Sequence, residues 1–217
     1  MKTNNRLLYT FIIGFIFNLL FSQECPPADT LVVSAAQNSW NFPTENQWNQ
    51  VEVMTWNLKE FPYSNSTVNN VQEAIADILP DIIAFQEIND GNAFLQLSNS
   101  LPAYEFVSSG SGLALAARRD VVEILNQSTL FPSSGYEFAW RYPFKVDLQW
   151  GCGLGSTTLS VIVVHLKAGS TGEDGNRRFA SCEELEGYVV SHLNDNIIIL
   201  GDYNDEITDP ESNNSLW

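Results

Sequence analysis

The chain has 217 residues, 44% of them hydrophobic and including 13 Phe, 6 Trp and 7 Tyr, enough for one domain with a large core. Its formal net charge of −16 excludes tight binding to nucleic acid by bulk electrostatics, because phosphate is repelled at long range. A site acting on phosphate in such a chain needs local help, and a divalent cation is the obvious form.

In chain order, Lys2 and Arg6 precede an apolar run from Leu7 to Phe21, followed by Ser22-Gln23. This is the pattern of a secretory signal peptide over residues 1–22; the run is shorter than the roughly 20 residues that a membrane span needs. The mature chain is therefore expected to be secreted, extracellular or periplasmic, with no integral membrane segment. Loss of Lys2 and Arg6 takes its charge from −16 to −18. Residues 23–50 are polar and irregular and read as a lead-in, and residues 51–217 as the domain. The cysteines are Cys25, Cys152 and Cys182. Secretion permits a disulfide, with Cys152–Cys182 the expected pair, and no Cys-His spacing suggests zinc.

Val51–Trp56 is β-branched and predicts a strand. Val68, Val71, Ile75 and Ile78 recur at helical spacing, and Pro80 closes that helix. "DIIAFQ" (Asp81–Gln86) is a short apolar strand and Ala93–Leu101 a second helix. Gly112–Arg118 and Val121–Leu125 read as strands. "WRYPFKVDLQW" alternates strictly, with Trp140, Tyr142, Phe144, Val146, Leu148 and Trp150 on one face and Arg141, Lys145, Asp147 and Gln149 on the other. Pro143 implies an edge or a bulge. Thr158–Leu166 is a buried strand. Residues 173–193 are a helix with Cys182, Leu185, Val189 and Leu193 inward, and Ile197–Leu200 is the next strand. Strands interleaved with helices indicate an α/β sandwich.

Polar residues gather where the buried strands end: Asn57, Glu87, His165, then Asp202 and Asn204. Ligands of open α/β sheets bind beyond the carboxyl ends of the strands. Singly, each has an ordinary explanation. Asn57 can cap a turn, Glu87 can pair with a Lys, His165 can be a satisfied core histidine, and Asp202 can form an Asx-turn. Four strands with the same punctuation point to a site. His192, in the last turn of its helix, is favoured there by the dipole and is assigned a structural role.

"MTWNLKEF", "IIAFQEI", "RYPF", "VVHLKAG" and "IIILGDYND" follow one another in an order and spacing that resembles the endonuclease/exonuclease/phosphatase superfamily, the deoxyribonuclease I-like fold, over about Val51–Trp217. "HLKAG", "RR", a helix and then "GDYNDE" look most like its secreted bacterial endonucleases. The resemblance implies a four-layer α/β sandwich, two packed mixed β-sheets flanked by helices, with a metal-assisted site across the top edge. It assigns metal binding to Glu87, with Asn57 helping to hold that region, and Mg²⁺, or Mn²⁺ in its place, as the cofactor. Asp202 would orient the attacking water or support the metal, and Asn204 would bond the scissile phosphate. His165 would contact phosphate and protonate the leaving oxygen. Arg141 matches a phosphate-contacting arginine, with a surface ion pair as the other reading. Lys167, Arg177 and Arg178 add local positive charge or are simply solvated.

The chain departs from the family pattern in two places. The family's general base is a His beside an Asp near the C-terminus, and only His165 and His192 occur here. The chain is accordingly expected to be C-terminally truncated, with its last strands missing, and to be a poor catalyst as it stands. The Glu that partners the strand histidine is also absent around Ser109–Gly112, leaving Asp147 as a substitute. The implied function is a secreted metal-dependent phosphodiesterase, an endonuclease on DNA or RNA, with nucleic acid as substrate and no stable protein partner. A phosphatase or sphingomyelinase of the same superfamily, or a non-catalytic binding module on the same scaffold, are the alternatives.

Overall fold

The computed structural model describes residues 50–151 and 155–206. The signal peptide, the lead-in through residue 49, Cys152 and the segment from residue 207 lie outside the described residues. The elements run β1 (Val53–Phe61), α1 (Thr67–Ile78), β2 (Ile82–Ile88), α2 (Gly91–Ser100), β3 (Tyr104–Ser108), β4 (Leu113–Arg118), β5 (Val122–Thr129), β6 (Phe144–Trp150), β7 (Thr157–His165), α3 (Gly172–Ser191) and β8 (Ile197–Asp202).

Two four-stranded sheets form, in the orders β1-β2-β4-β3 and β5-β6-β7-β8. Each is mixed: β1 runs parallel to β2 and β7 parallel to β8, while the other neighbours are antiparallel. The stretches Ile82–Phe85 of β2 and Val161–Val164 of β7 are apolar at every position because both of their faces are covered. In β2, Ile83 and Phe85 join the core under α1 and α2, whereas Ile82 and Ala84 join the core between the sheets. In β7, Leu159, Val161 and Val163 face the inter-sheet core, while Ile162 and Val164 face the core beneath α3. Three apolar layers thus separate four layers of structure, the α/β sandwich expected. Full burial of a side chain such as Phe85 contributes about 1.5–3 kcal/mol.

The helices start and stop for local reasons. Val68, Val71 and Ile75 bury one stripe of α1, and Leu79 ends it in the left-handed region (φ 54°) just ahead of Pro80. The Asp90 side chain caps α2 by accepting from the Asn92 and Ala93 amides at 2.8 and 3.1 Å. Thr171 and Asp174 close a capping box at the start of α3.

The elements differ from those expected at three places. β3 was not foreseen: "YEFVS" is short and carries Glu105, yet Tyr104 and Phe106 alternate into the α1–α2 core. The strand foreseen over Trp140–Trp150 begins only at Phe144 and lies inside its sheet, between β5 and β7. Pro143 therefore precedes a central strand instead of marking an edge, and its carbonyl accepts from the Leu130 amide. On α3 the inward positions are Ser181, Cys182, Leu185 and Tyr188, whereas Leu193 lies past the helix and is 77% exposed. Among the described residues Cys182 has no disulfide partner, and burial pushes its thiol pKa up to about 11; Cys152, its expected partner, is outside the described residues.

Candidate active site

β1 and β8 belong to different sheets, and their ends meet. The Asn57 side chain, on β1, donates from Nδ2 to Glu87 Oε1 at 2.9 Å and to Asp202 Oδ2 at 2.8 Å. Its Oδ1 accepts from the Lys59 amide at 2.8 Å, which fixes which end of the amide faces the carboxylates. Glu87 lies at the end of β2 in the left-handed region (φ 64°), and its second oxygen accepts from the Glu60 amide at 2.8 Å. Burial pushes the Glu87 carboxyl up, but the bonds from Asn57 and the Glu60 amide outweigh it and hold it below its ordinary value.

Strand register places the other half. His165 ends β7 and pairs with Asp202 on β8. His165 Nε2 lies 3.8 Å from Asp202 Oδ2 and 3.9 Å from Glu87 Oε1. Those are charge contacts, too long for hydrogen bonds. The imidazole is 5% exposed and its buried Nδ1 has no hydrogen-bond partner among the described residues. Burial, with the nearby Arg141 guanidinium, holds its pKa below the ordinary value, against the opposing pull of Asp202 and Glu87. Asp147 does not orient this ring: it pairs instead with Lys145 and accepts from Ser160 Oγ at 2.7 Å, opposite Ser160 in the sheet register.

β8 comes this close because residue 201 is glycine. A Cβ there would stand 2.0 Å from the Val164 carbonyl oxygen, and the backbone is at φ 157°. Asp202 then folds the chain back, its Oδ1 accepting from the Asn204 amide at 2.8 Å, with Asn204 at φ 51°. Asn204 Nδ2 donates to the Leu166 carbonyl at 2.9 Å. Arg141 donates from Nη2 to the same carbonyl and from Nε to the His165 carbonyl at 2.9 Å. The surface ion pair considered for Arg141 is not what the described contacts show: it is half-buried and fastens the end of β7, with Nη1 left over.

Arg178 is a residue whose importance the sequence did not reveal. It is buried, donates to the Lys167 and Gly169 carbonyls at 3.1 and 2.9 Å and pairs with Asp205 at 3.4 Å. It ties the loop after His165 to the loop after Asp202. Lys167 pairs with Asp174 at 2.9 Å. His192 caps the far end of α3, its ring stacked on Tyr188 at 4.0 Å. It lies some 30 Å of helix away from the start of α3, consistent with a structural role.

Among the described residues no group of three or more His, Cys, Asp or Glu forms a ready-made metal cage. The donor set nevertheless suits a hard cation: two carboxylates share one amide nitrogen, and oxygen donors with room for waters are what Mg²⁺ takes. Glu87 and Asp202 are the groups that would hold it. Asn57, with its nitrogen toward them, positions the carboxylates. A hollow between β1 and α1, lined by Trp56, Asn57, Lys59 and Val71, touches this cluster through Asn57 alone.

A profile of the endonuclease/exonuclease/phosphatase family matches residues 54–216, so the chain belongs to that family. Solved structures agree on the fold. Humanized Danio rerio TDP2 with 14 mutations superposes with a TM-score of 0.61 at 16% identity, over 73% of this chain and 64% of that one. Danio rerio TDP2 complexed with a single-strand DNA product gives 0.56 at 15% identity, over 72% and 61%. An endonuclease/exonuclease/phosphatase family protein from Bacteroides thetaiotaomicron gives 0.57 at 16% identity, over 76% and 67%. The chain thus spans under two thirds of the two TDP2 chains. No curated protein matches it.

Proposed function

We propose that this chain is a secreted, divalent-metal-dependent phosphodiesterase acting on a nucleic-acid strand. The observation that carries this reading is the convergence of Glu87, Asp202 and His165 around Asn57, from strand ends of both sheets. Family membership and a fold neighbour bound to single-strand DNA product support it. The Lys2–Arg6 cluster and the apolar run after it support secretion.

When bound at Glu87 and Asp202, Mg²⁺ would supply positive charge to a phosphate that the acidic chain otherwise repels. Arg141 Nη1 and the second amide hydrogen of Asn204 bind the non-bridging oxygens. Both groups are already anchored on the Leu166 carbonyl, so little freedom is lost on binding. Asp202, held by Asn57 and the Asn204 amide, orients the attacking water and accepts the proton it sheds as its oxygen bonds phosphorus. His165 presents Nε2 to the leaving oxygen and hands it a proton. Burial and the nearby Arg141 guanidinium favour the neutral ring in the free protein. An arriving phosphate anion favours the imidazolium, and a proton held weakly is readily given up.

The test is a comparison of substrates with the natural gene product. Single-stranded DNA, a lipid phosphodiester and a phosphomonoester are each offered in Mg²⁺. The reading predicts the fastest turnover on the DNA strand. Faster turnover of the lipid or of the monoester would assign the site to the sphingomyelinase or phosphatase branch, and turnover of none would argue for a binding module.

A further inference from the structure

We propose that Trp140, with Tyr136 beside it in the same loop, forms a stacking platform for an unpaired nucleobase next to the candidate active site. The proposal rests on the nucleic-acid reading above and names the part of the substrate that this loop takes.

Trp140 is 66% exposed and Tyr136 is 48% exposed, although both lie in a tightly made loop. Phe138 is fully buried and stacks on Phe131, with centroids 5.3 Å apart and planes 3° apart. The Trp140 amide donates to the Gly135 carbonyl at 2.7 Å and the Arg141 amide to the Phe138 carbonyl at 2.9 Å. Ala139 and Trp140 both adopt left-handed backbone, φ 52° and 61°, a conformation that L-residues avoid unless the surroundings impose it. The loop buries Phe138 and turns Trp140 outward.

The indole has a seat. A Cβ on Gly135 would fall 2.5 and 2.6 Å from Trp140 Cε3 and Cζ3, and 2.7 Å from the Tyr142 hydroxyl. Only glycine lets the ring lie there, and most of its surface is left to solvent. Tyr136 is ordered as well. Arg177 sits over its ring, 4.2 Å from the centroid, and donates from Nε to its carbonyl at 2.9 Å. Its hydroxyl donates to Glu173, an opposing charge occupied by that bond. The next residue after Trp140 is Arg141, fastened to the His165 and Leu166 carbonyls. The exposed indole therefore stands one residue from the group placed on the scissile phosphate.

Fixed aromatic faces interleaved with arginine are what single strands bind, because every base has a face to stack and Arg adds charge. In a chain of net charge −16, stacking also supplies affinity that bulk electrostatics withholds.

The experiment measures binding to this chain, by fluorescence anisotropy in EDTA, of a short labelled oligothymidylate and of the same strand with abasic sugars. Wild type is expected to prefer the strand with bases. Trp140→Ala should weaken oligothymidylate binding by about tenfold or more, the usual scale for one lost base stack, and leave abasic binding unchanged. Trp140→Phe should keep most of the affinity. Gly135→Ala, which leaves the indole in place chemically but unseats it, should fall between them. Near-ultraviolet circular dichroism verifies that each variant is folded. Equal oligothymidylate affinity in folded wild type and Trp140→Ala would overturn the platform while sparing the nucleic-acid reading. No binding of either strand by wild type would overturn the platform, whereas the nucleic-acid reading stands or falls on the substrate comparison in Mg²⁺.

Discussion

Asn57 Nδ2 and Asp202 Oδ2 are 2.8 Å apart and separated by 145 residues of chain. They join the first strand of one sheet to the last described strand of the other. The same nitrogen holds Glu87, so one amide fixes both carboxylates of the candidate site. Asn57→Ala should cost about 1.5–3 kcal/mol in urea unfolding without metal, the range for a hydrogen bond to a charged group. Asn57→Asp should be worse, because it adds a third carboxylate, and added Mg²⁺ should recover part of that loss. A cost for Asn57→Ala within the noise of the measurement would mean the bond is not formed in solution.

Cation binding should depend on Glu87. Mg²⁺ or Mn²⁺ is expected to raise the melting temperature by mass action, and Glu87→Gln should remove that shift. A shift of unchanged size in the variant would place the metal elsewhere.

The lowered pKa of His165 has a stability consequence in metal-free protein. The folded state binds this proton less readily than the unfolded state, whose value is about 6.5. The histidine's contribution is therefore full above pH 6.5 and is lost as pH falls through the folded value. Glu87, also lowered, loses its contribution in a separate window below about pH 4.3. Urea midpoints in EDTA should decline below pH 6.5 in wild type, and His165→Gln should flatten that first decline while leaving the second. A wild-type curve that is level down to pH 5 would contradict the burial of His165.

Gly201→Ala tests the closeness of β7 and β8. The added methyl would meet the Val164 carbonyl at 2.0 Å, so the strands must part. A loss of about 1–3 kcal/mol or more is expected, together with weaker Mn²⁺ binding, since Asp202 is the next residue. A variant as stable as wild type would show that the strands are not so tightly joined.

Much of this was legible in the sequence for a physical reason. A strand covered on both faces must be apolar throughout, so "IIAF" and "VIVV" announced themselves, and the polar residues that end them had to lie at the sheet edge. Asn57, Glu87, His165, Asp202 and Asn204 do meet there. Orientation was not legible. Nothing in "WNL" tells which end of the Asn57 amide faces Glu87, and nothing in "RR" tells that Arg178 is buried while Arg177 lies on Tyr136. Alternation misled at Trp140–Pro143, because a period of two continued by chance into a loop whose conformation is set by the burial of Phe138. β3 is not readable from the sequence since five residues with a Glu in second place carry too little period.

The most direct test is cleavage of an end-labelled single-stranded oligonucleotide by the natural gene product, with and without Mg²⁺, in wild type and Asp202→Ala. Cleavage is expected to need Mg²⁺, to stop in EDTA and to fall by about 10²-fold or more in Asp202→Ala, which removes the carboxylate proposed to orient water. Cleavage that persists in EDTA, or that Asp202→Ala leaves at the wild-type rate, would contradict it.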